Sequence, residues 1–139
     1  MANPSERRGE VGRWLDFAEE DLAYGRLGME AFPRAAAWSF QQATEKALKA
    51  ILTLHGQVPR RTHDVLVLFN AVMAVSDGWE PLRADIVRLA EIAASSRYPD
   101  DLPPVGSAEV KAFDGAAQNI VVHARRVWTA WQGEEPGPR

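Results

Sequence analysis

The chain has 139 residues, of which 46% are apolar and 25% are charged, values typical of one soluble globular domain with its own core. It contains no cysteine, which excludes a disulfide framework and a thiolate metal site. Its net charge of −3 argues against general nucleic-acid binding.

The histidines and the apolar runs further limit the class of protein to which the chain can belong. His55, His63 and His123 are too scattered in sequence to predict a metal site, and no cofactor is expected. No apolar run approaches the roughly 20 residues that a membrane helix needs. The first ten residues lack the apolar core of a signal peptide, so we expect a cytoplasmic protein without a membrane partner.

Between two polar ends, apolar periodicity predicts five helices and no strand. We expect residues 1–10 and 132–139 to be disordered and residues 11–131 to form one domain. Long helices with short turns predict an all-α fold, an up-and-down four-helix bundle with an additional shorter helix. The expected helices run from about Val11 to Met29, from Pro33 to near Gly56, from an N-cap at Thr62, from near Pro81, and from an N-cap at Ser107 to Trp131.

Aromatic residues recur at helical spacing in these segments. A bundle usually fills its centre with such stripes, so we interpret them as core residues and not as ligand contacts. The residues concerned are Trp14, Phe40, Phe113 and Trp128.

The second helix has an apolar side rich in alanine and an opposite polar side. Glu45 precedes Lys49 by four residues, the favourable order for an ion pair on a helix. Trp38 and Leu52 fall inside the polar sector, where large apolar residues indicate contact with a second subunit or a ligand. The polar sector itself contains Gln41, Gln42, Glu45, Lys46 and Lys49. We therefore predict a homodimer interface there, with a plain solvated face as the alternative.

Four short motifs follow one another in the order of a known family. "QQATEKALKA" lies in the second helix, then come a glycine turn at Gly56, the pair Thr62-His63, and "SRYP" from Ser96 to Pro99. This order resembles the small prokaryotic members of the HEPN family, the higher eukaryotes and prokaryotes nucleotide-binding domain. "WLDFAEEDLAYG" also resembles the first helix of that family, so the likeness covers roughly residues 11–131.

The resemblance implies a helical bundle that is usually dimeric and often encoded beside a minimal nucleotidyltransferase. In that setting it implies a toxin–antitoxin-like pair or a two-chain nucleotidyltransferase. The function expected here is a non-catalytic HEPN module that partners such an enzyme, with possible nucleotide binding. The alternatives are a metal-independent RNase toxin that uses His123 or His63, and a pure assembly module without a ligand.

The catalytic signature of HEPN RNases, an arginine followed after four to six residues by a histidine, is missing. The arginine for His123 would stand at 116, 117 or 118, where the chain has Ala116, Ala117 and Gln118. Neither His55 nor His63 has an arginine at the corresponding positions. No catalytic residue is therefore assigned, because the chain lacks the arginine and histidine pair that general acid–base cleavage of RNA would need.

Two polar segments remain as candidate sites besides the polar sector. His123 follows Asn119 by one helical turn, and the two could line a polar groove; the simpler interpretation is a half-exposed surface histidine. In "PRRTHD", Arg61 and His63 lie at the start of the third helix, where backbone amides favour a phosphate. The alternative is that Thr62 and Asp64 satisfy that helix end and leave the arginines in solvent.

The segment "SSRYPDD" ends the fourth helix at Pro99. Arg97 and Tyr98 are not needed for that ending, and the resemblance implies that they lie near the polar side of the second helix. Together with Lys46 and Lys49 they could hold a phosphate and stack a base. A structural pairing of Arg97 with a nearby carboxylate is the alternative.

Overall fold

The structure is a computed structural model that describes residues 3–94 and 105–134, and within them five α-helices and no strand occur. The all-α prediction is thereby confirmed. The helices are α1 (Pro4–Leu27), α2 (Pro33–Leu54), α3 (Val65–Val75), α4 (Arg83–Ala94) and α5 (Ser107–Glu134), with a 3-10 turn at Glu80–Leu82 before α4.

Side-chain pairs show that α1 and α5 are antiparallel. Arg26, at the end of α1, binds Asp114 in the first third of α5 through Nε at 2.8 Å. Arg125, near the end of α5, binds Asp16 in the middle of α1 at 3.0 Å. The order of these two pairs along the two helices shows that the helices run in opposite directions.

Helix α4 is likewise antiparallel to α5, since Asp85 pairs with Asn119 and Trp79, which precedes α4, meets His123 one turn further along α5. The predicted four-helix bundle is therefore confirmed, and α3, with 11 residues, is the additional shorter helix.

Helix α2 lies at the centre of the bundle and contacts all four other helices. Its approach to α1 is close because α1 carries a glycine there: a Cβ at Gly25 would lie 2.7 Å from Phe40 Cε1 and 3.2 Å from the carbonyl oxygen of Ala36. The alanines of α2 permit the same closeness along its length. This enclosure decides the surroundings of the buried polar residues on α2, which are Gln41, Thr44, Glu45, Lys49 and Thr53.

The first helix begins seven residues earlier than expected. Asn3 caps it with a reciprocal pair of bonds: Asn3 Oδ1 accepts from the Glu6 amide at 2.8 Å, and Glu6 Oε2 accepts from the Asn3 amide at 3.2 Å. Pro4 occupies the first helical position, which suits its fixed φ. The expected disorder of residues 1–10 is thus corrected for residues 4–10, which are helical.

One apolar core runs through the bundle. Phe40 is fully buried in it, and Trp14, Phe113 and Trp128 pack against it from half-buried positions, so their interpretation as core residues is confirmed. Trp79, buried next to α5, is a core residue that periodicity did not indicate. In residues 3–94 and 105–134, no helix is both long and apolar enough to cross a membrane.

The α1–α2 contact gives a matched pair of glycine substitutions. We expect Gly25→Ala to destabilise the protein, because the overpacking cost of about 1–3 kcal/mol exceeds the gain of about 1 kcal/mol in helix propensity. Gly115→Ala, whose Cβ would meet nothing within 4 Å, should stabilise by about 0.5–1 kcal/mol. Urea unfolding measures both changes. Equal stabilisation by the two variants would contradict the close approach of α1 and α2.

Candidate functional site

The polar residues Gln41, Glu45 and Lys49, here called the polar row, follow one another at intervals of four along α2. All three are buried within the single chain. The helical spacing was correctly expected to place them on one side, but that side is covered by other parts of the bundle. Each polar group in the row therefore needs a partner from within the protein.

Glu45 is the centre of the row. Its Oε2 accepts a bond from Lys49 Nζ at 3.1 Å, and its Oε1 lies 2.8 Å from His63 Nδ1. Lys49 Nζ also lies 5.9 Å from the centre of the Trp14 ring, within cation–π range. The predicted ion pair between Glu45 and Lys49 is present, but it is an interior pair and not a surface pair.

His63 is the exposed end of this arrangement. Its side chain is 78% exposed, whereas the Glu45 side chain that holds it is buried. If Nδ1 donates its hydrogen to the carboxylate, the ring is fixed in one tautomer and Nε2 is left as a hydrogen-bond acceptor. A carboxylate that orients a histidine in this way is suited to hold the histidine for contact with a ligand.

The expected self-association surface is largely covered by the chain itself. Leu52 is 2% exposed and belongs to the core, and Gln41 donates from Nε2 to the Leu89 carbonyl at 3.2 Å. The assignment of Gln41, Glu45 and Leu52 to an interface is thus corrected, because α3, α4 and the chain before α3 already occupy that side. Trp38 stays exposed and Gln42 half-buried.

The two candidate phosphate-binding lysines turn to different carboxylates. Lys46 Nζ binds Asp21 of α1 at 2.5 Å, and Lys49 binds Glu45. Each ammonium group is therefore neutralised by a local carboxylate. Arg97 and Tyr98, the other members of the expected cleft, lie outside the described residues.

The start of α3 is closed to an added anion by its own cap. Asp64 Oδ1 accepts from the amides of Leu66 at 3.0 Å and Val67 at 3.3 Å. The N-cap is therefore Asp64 and not Thr62, whose hydroxyl instead accepts from the Asp64 amide at 3.1 Å. Arg61 is exposed in the turn before this cap, beside His63 in sequence.

His123 packs against an aromatic ring and does not line an open groove. Its ring meets Trp79 edge-on at a centroid distance of 4.5 Å, and its Nε2 is buried without a partner in the described part of the chain. Burial lowers the pKa of His123, and the positive charge of Arg126 lowers it further. Asn119 bonds Asp85 of α4 at 3.1 Å, so the expected groove with His123 is corrected.

Metal binding has no support in the described ranges. No group of three or more histidine, aspartate and glutamate side chains is close enough there to hold an ion. What the geometry does offer is a single outward histidine on a buried carboxylate, with an exposed arginine nearby in the chain.

Comparison with known proteins gives one family and one similar structure. The model of the HEPN domain matches residues 11–134. A crystal structure of the protein TT1696 from Thermus thermophilus is 25% identical to the chain, with a TM-score of 0.75, and the match covers 84% of this chain and 97% of that one. No curated protein matches the chain.

Removing one partner of the Glu45–Lys49 ion pair should destabilise the protein strongly. We expect Glu45→Gln to destabilise the protein by about 3–5 kcal/mol, because it leaves the buried Lys49 ammonium without its counter-charge. The double variant Glu45→Gln with Lys49→Met should recover much of that loss. Chemical denaturation measures each variant.

An exposed ion pair serves as the control for this cycle. Removing Glu80 from its pair with Arg83 should destabilise the protein far less, since both side chains are in solvent. If Glu45→Gln costs no more than the Glu80 substitution, the interior pairing of Glu45 is not what stabilises the row.

His123 should make stability depend on pH. Because its pKa is lower in the folded state than the unfolded value of about 6.5, the unfolded chain binds more protons as the pH falls below that value. The destabilisation should therefore grow from about pH 6.5 downward and level off below the folded pKa. His123→Gln should remove this part of the slope, measured as the difference in melting temperature from wild type at about pH 8 and at about pH 5. A constant difference at both pH values would contradict it.

Proposed function

Because the chain belongs to the HEPN domain family, we propose that it is a non-catalytic helical module that partners a minimal nucleotidyltransferase and contributes nucleotide contacts to the pair. The observation that carries the proposal is that none of its three histidines has the arginine on which RNA cleavage by this family depends. The chain keeps the bundle and lacks the catalytic pair.

The surroundings of His123 support this conclusion. Two of the three positions that would carry its arginine are Ala116 and Ala117, and both are buried in the core. His123 itself is held against Trp79, and its lowered pKa favours the neutral form. The arginine of the RNase signature is thus absent from this point of α5, and the Nε2 atom of His123 is buried.

Nucleotide contact is proposed at Arg61 and His63. His63 is the one histidine with a carboxylate partner among the described residues, and it faces solvent next to an exposed arginine in sequence. Charge-assisted bonds from such groups suit a phosphate. The family resemblance adds Arg97 and Tyr98 to the proposed contact, whereas Lys46 and Lys49 contribute less because Asp21 and Glu45 neutralise them.

An RNA-cleaving toxin is the second candidate, and the Glu45–His63 contact is what favours it. A histidine held by a carboxylate through Nδ1 presents Nε2 as a general base. What it lacks is an arginine at the spacing of the RNase signature, since Gly56, Gln57 and Val58 occupy those positions. A pure assembly module, with no nucleotide at all, is the third interpretation and is an outcome of the test below.

We expect the purified protein to leave single-stranded RNA and tRNA intact and to bind ATP weakly, in the range of about micromolar to millimolar Kd, with affinity that falls as salt rises. Calorimetry should show that His63→Ala, Arg61→Ala and Arg97→Ala each lose binding, and the two arginine variants should do so without a lower melting temperature. Arg34→Ala, at the opposite end of α2 and equally exposed, is the control. A minimal nucleotidyltransferase encoded beside the gene should co-purify with the chain.

Three results would change the assignment. RNA cleavage that disappears in His63→Ala favours the toxin. A chain that captures the nucleotidyltransferase but gives no heat with any nucleotide is an assembly module. If Arg97→Ala lowers the melting temperature and leaves nucleotide binding intact, Arg97 has a structural role.

A further inference from the structure

The two ring nitrogens of His63 have different surroundings, and this difference restricts how the ring can hold an anion. Nδ1 lies 2.8 Å from Oε1 of Glu45. The side chain as a whole is nevertheless 78% exposed, and Nε2 has no partner in the part of the chain that the structure describes. A ligand that contacts His63 through a hydrogen bond must therefore use Nε2.

Glu45 determines which way the bond to Nδ1 runs. The other oxygen of its carboxylate accepts from the Lys49 ammonium at 3.1 Å, an ion pair in which the carboxylate is ionised. An ionised carboxylate has acceptors only, so Nδ1 of His63 is the donor. In the neutral ring, Nε2 then carries a lone pair and no hydrogen. A phosphate oxygen is also an acceptor, so neutral His63 has nothing to donate to it.

The charges next to His63 favour an added proton and an added anion together. Glu45 and Lys49 of α2 neutralise each other, and in the turn before α3 the sequence neighbours of His63 include Arg61 and Asp64. Asp64 Oδ1 already accepts two backbone amides at the start of α3. Both carboxylates are thus engaged, and a proton on His63 adds positive charge that an anion from outside the protein can balance.

We propose that His63 holds the phosphate of a nucleotide only when both of its ring nitrogens are protonated, so that binding takes up one proton from solvent. Nδ1–H then donates to Glu45, Nε2–H donates to a phosphate oxygen, and Arg61 supplies a second positive charge. This proton uptake rests on the nucleotide contact proposed above, and it adds a regulation of that contact by pH. The same Nε2 would have to be unprotonated to act as a general base on RNA.

Linkage fixes the size of the effect. An anion that binds only the protonated ring raises the proton affinity of His63 by the same factor by which the proton raises the affinity for the anion. At pH values above the titration midpoint of His63, the affinity should fall by about tenfold for each pH unit.

A titration of the histidine ring protons by NMR tests the linkage without any variant. It is run from about pH 5 to about pH 8.5, in sodium sulfate and in sodium chloride of equal ionic strength. Sulfate stays fully ionised over this range, so any pH dependence comes from the protein. Sulfate should raise the titration midpoint of His63 by about half a pH unit or more. His55, which is exposed without a carboxylate partner among the described residues, and His123, whose Nε2 is buried, are internal controls and should keep their midpoints.

Calorimetry with ATP tests the nucleotide itself. The wild type should bind ATP about tenfold or more tightly at about pH 6 than at about pH 8. The terminal phosphate of ATP becomes less negative as the pH falls towards 6, which works against tighter binding, so the gain has to come from the protein. His63→Gln carries an amide that stays neutral at both pH values, and its affinity for ATP should be the same at both. Circular dichroism checks that this variant is folded.

The possible results separate the proton uptake from the nucleotide contact. Equal ATP affinity of the wild type at the two pH values would overturn the proton uptake and leave the nucleotide contact in place. A His63 midpoint that is the same in sulfate and in chloride would overturn it too. A sulfate effect at His63 without ATP binding would keep a proton-linked oxyanion site and remove the nucleotide as its ligand. The absence of both effects would remove the nucleotide contact and the proton uptake together.

Discussion

The enclosure of α2 by the four other helices is the constraint on which the rest of the structure depends. From Ala43 to Leu54 every residue of α2 except Lys46 is buried, so the polar groups in this part of the helix need partners from within the protein. Glu45 meets this requirement with two donors, Lys49 from its own helix and His63 from the chain before α3. The same enclosure requires the close approach at Gly25, because a central helix can be covered by this many neighbours only if some of them carry small residues where they touch it.

This constraint also determines what the polar row can do. Lys49 and Glu45 have each other, and the interior leaves little room for a nucleotide beside them. The buried pair fixes the position of the Glu45 carboxylate, and the carboxylate holds the exposed His63 by a hydrogen bond. A buried ion pair adds little net stability compared with an apolar core, and in some proteins such groups instead favour one specific arrangement of the chain. We infer that the row acts as the support of a surface site and not as the site itself.

Most of the fold could be predicted from the sequence, because helix periodicity and short connections are local properties. The prediction that failed concerned the polar side of α2. A helical wheel shows which residues share a side, but it does not show how many neighbours a helix has, so Leu52 and Gln41 were expected outside. The cap of α3 was placed two residues early because Thr62 and Asp64 both have suitable side chains, and only the path of the chain decides between them. The Trp79–His123 contact joins residues far apart in the chain and has no local signal.

Burial of the polar row moves the surfaces available to partners to other parts of the bundle. One is the turn before α3, where His63 and Arg61 are exposed; the other is the outer side of α1, where Phe17 and Tyr24 are exposed. The ion pair between Asp21 and Lys46 belongs to the second surface, and the pair between Glu45 and Lys49 supports the first. Because α2 supplies one lysine to each, it links the two surfaces through a single rigid helix. A rigid link of this kind holds the two surfaces in a fixed relation to each other, but it does not by itself couple binding at one to binding at the other, because coupling needs an element with two arrangements.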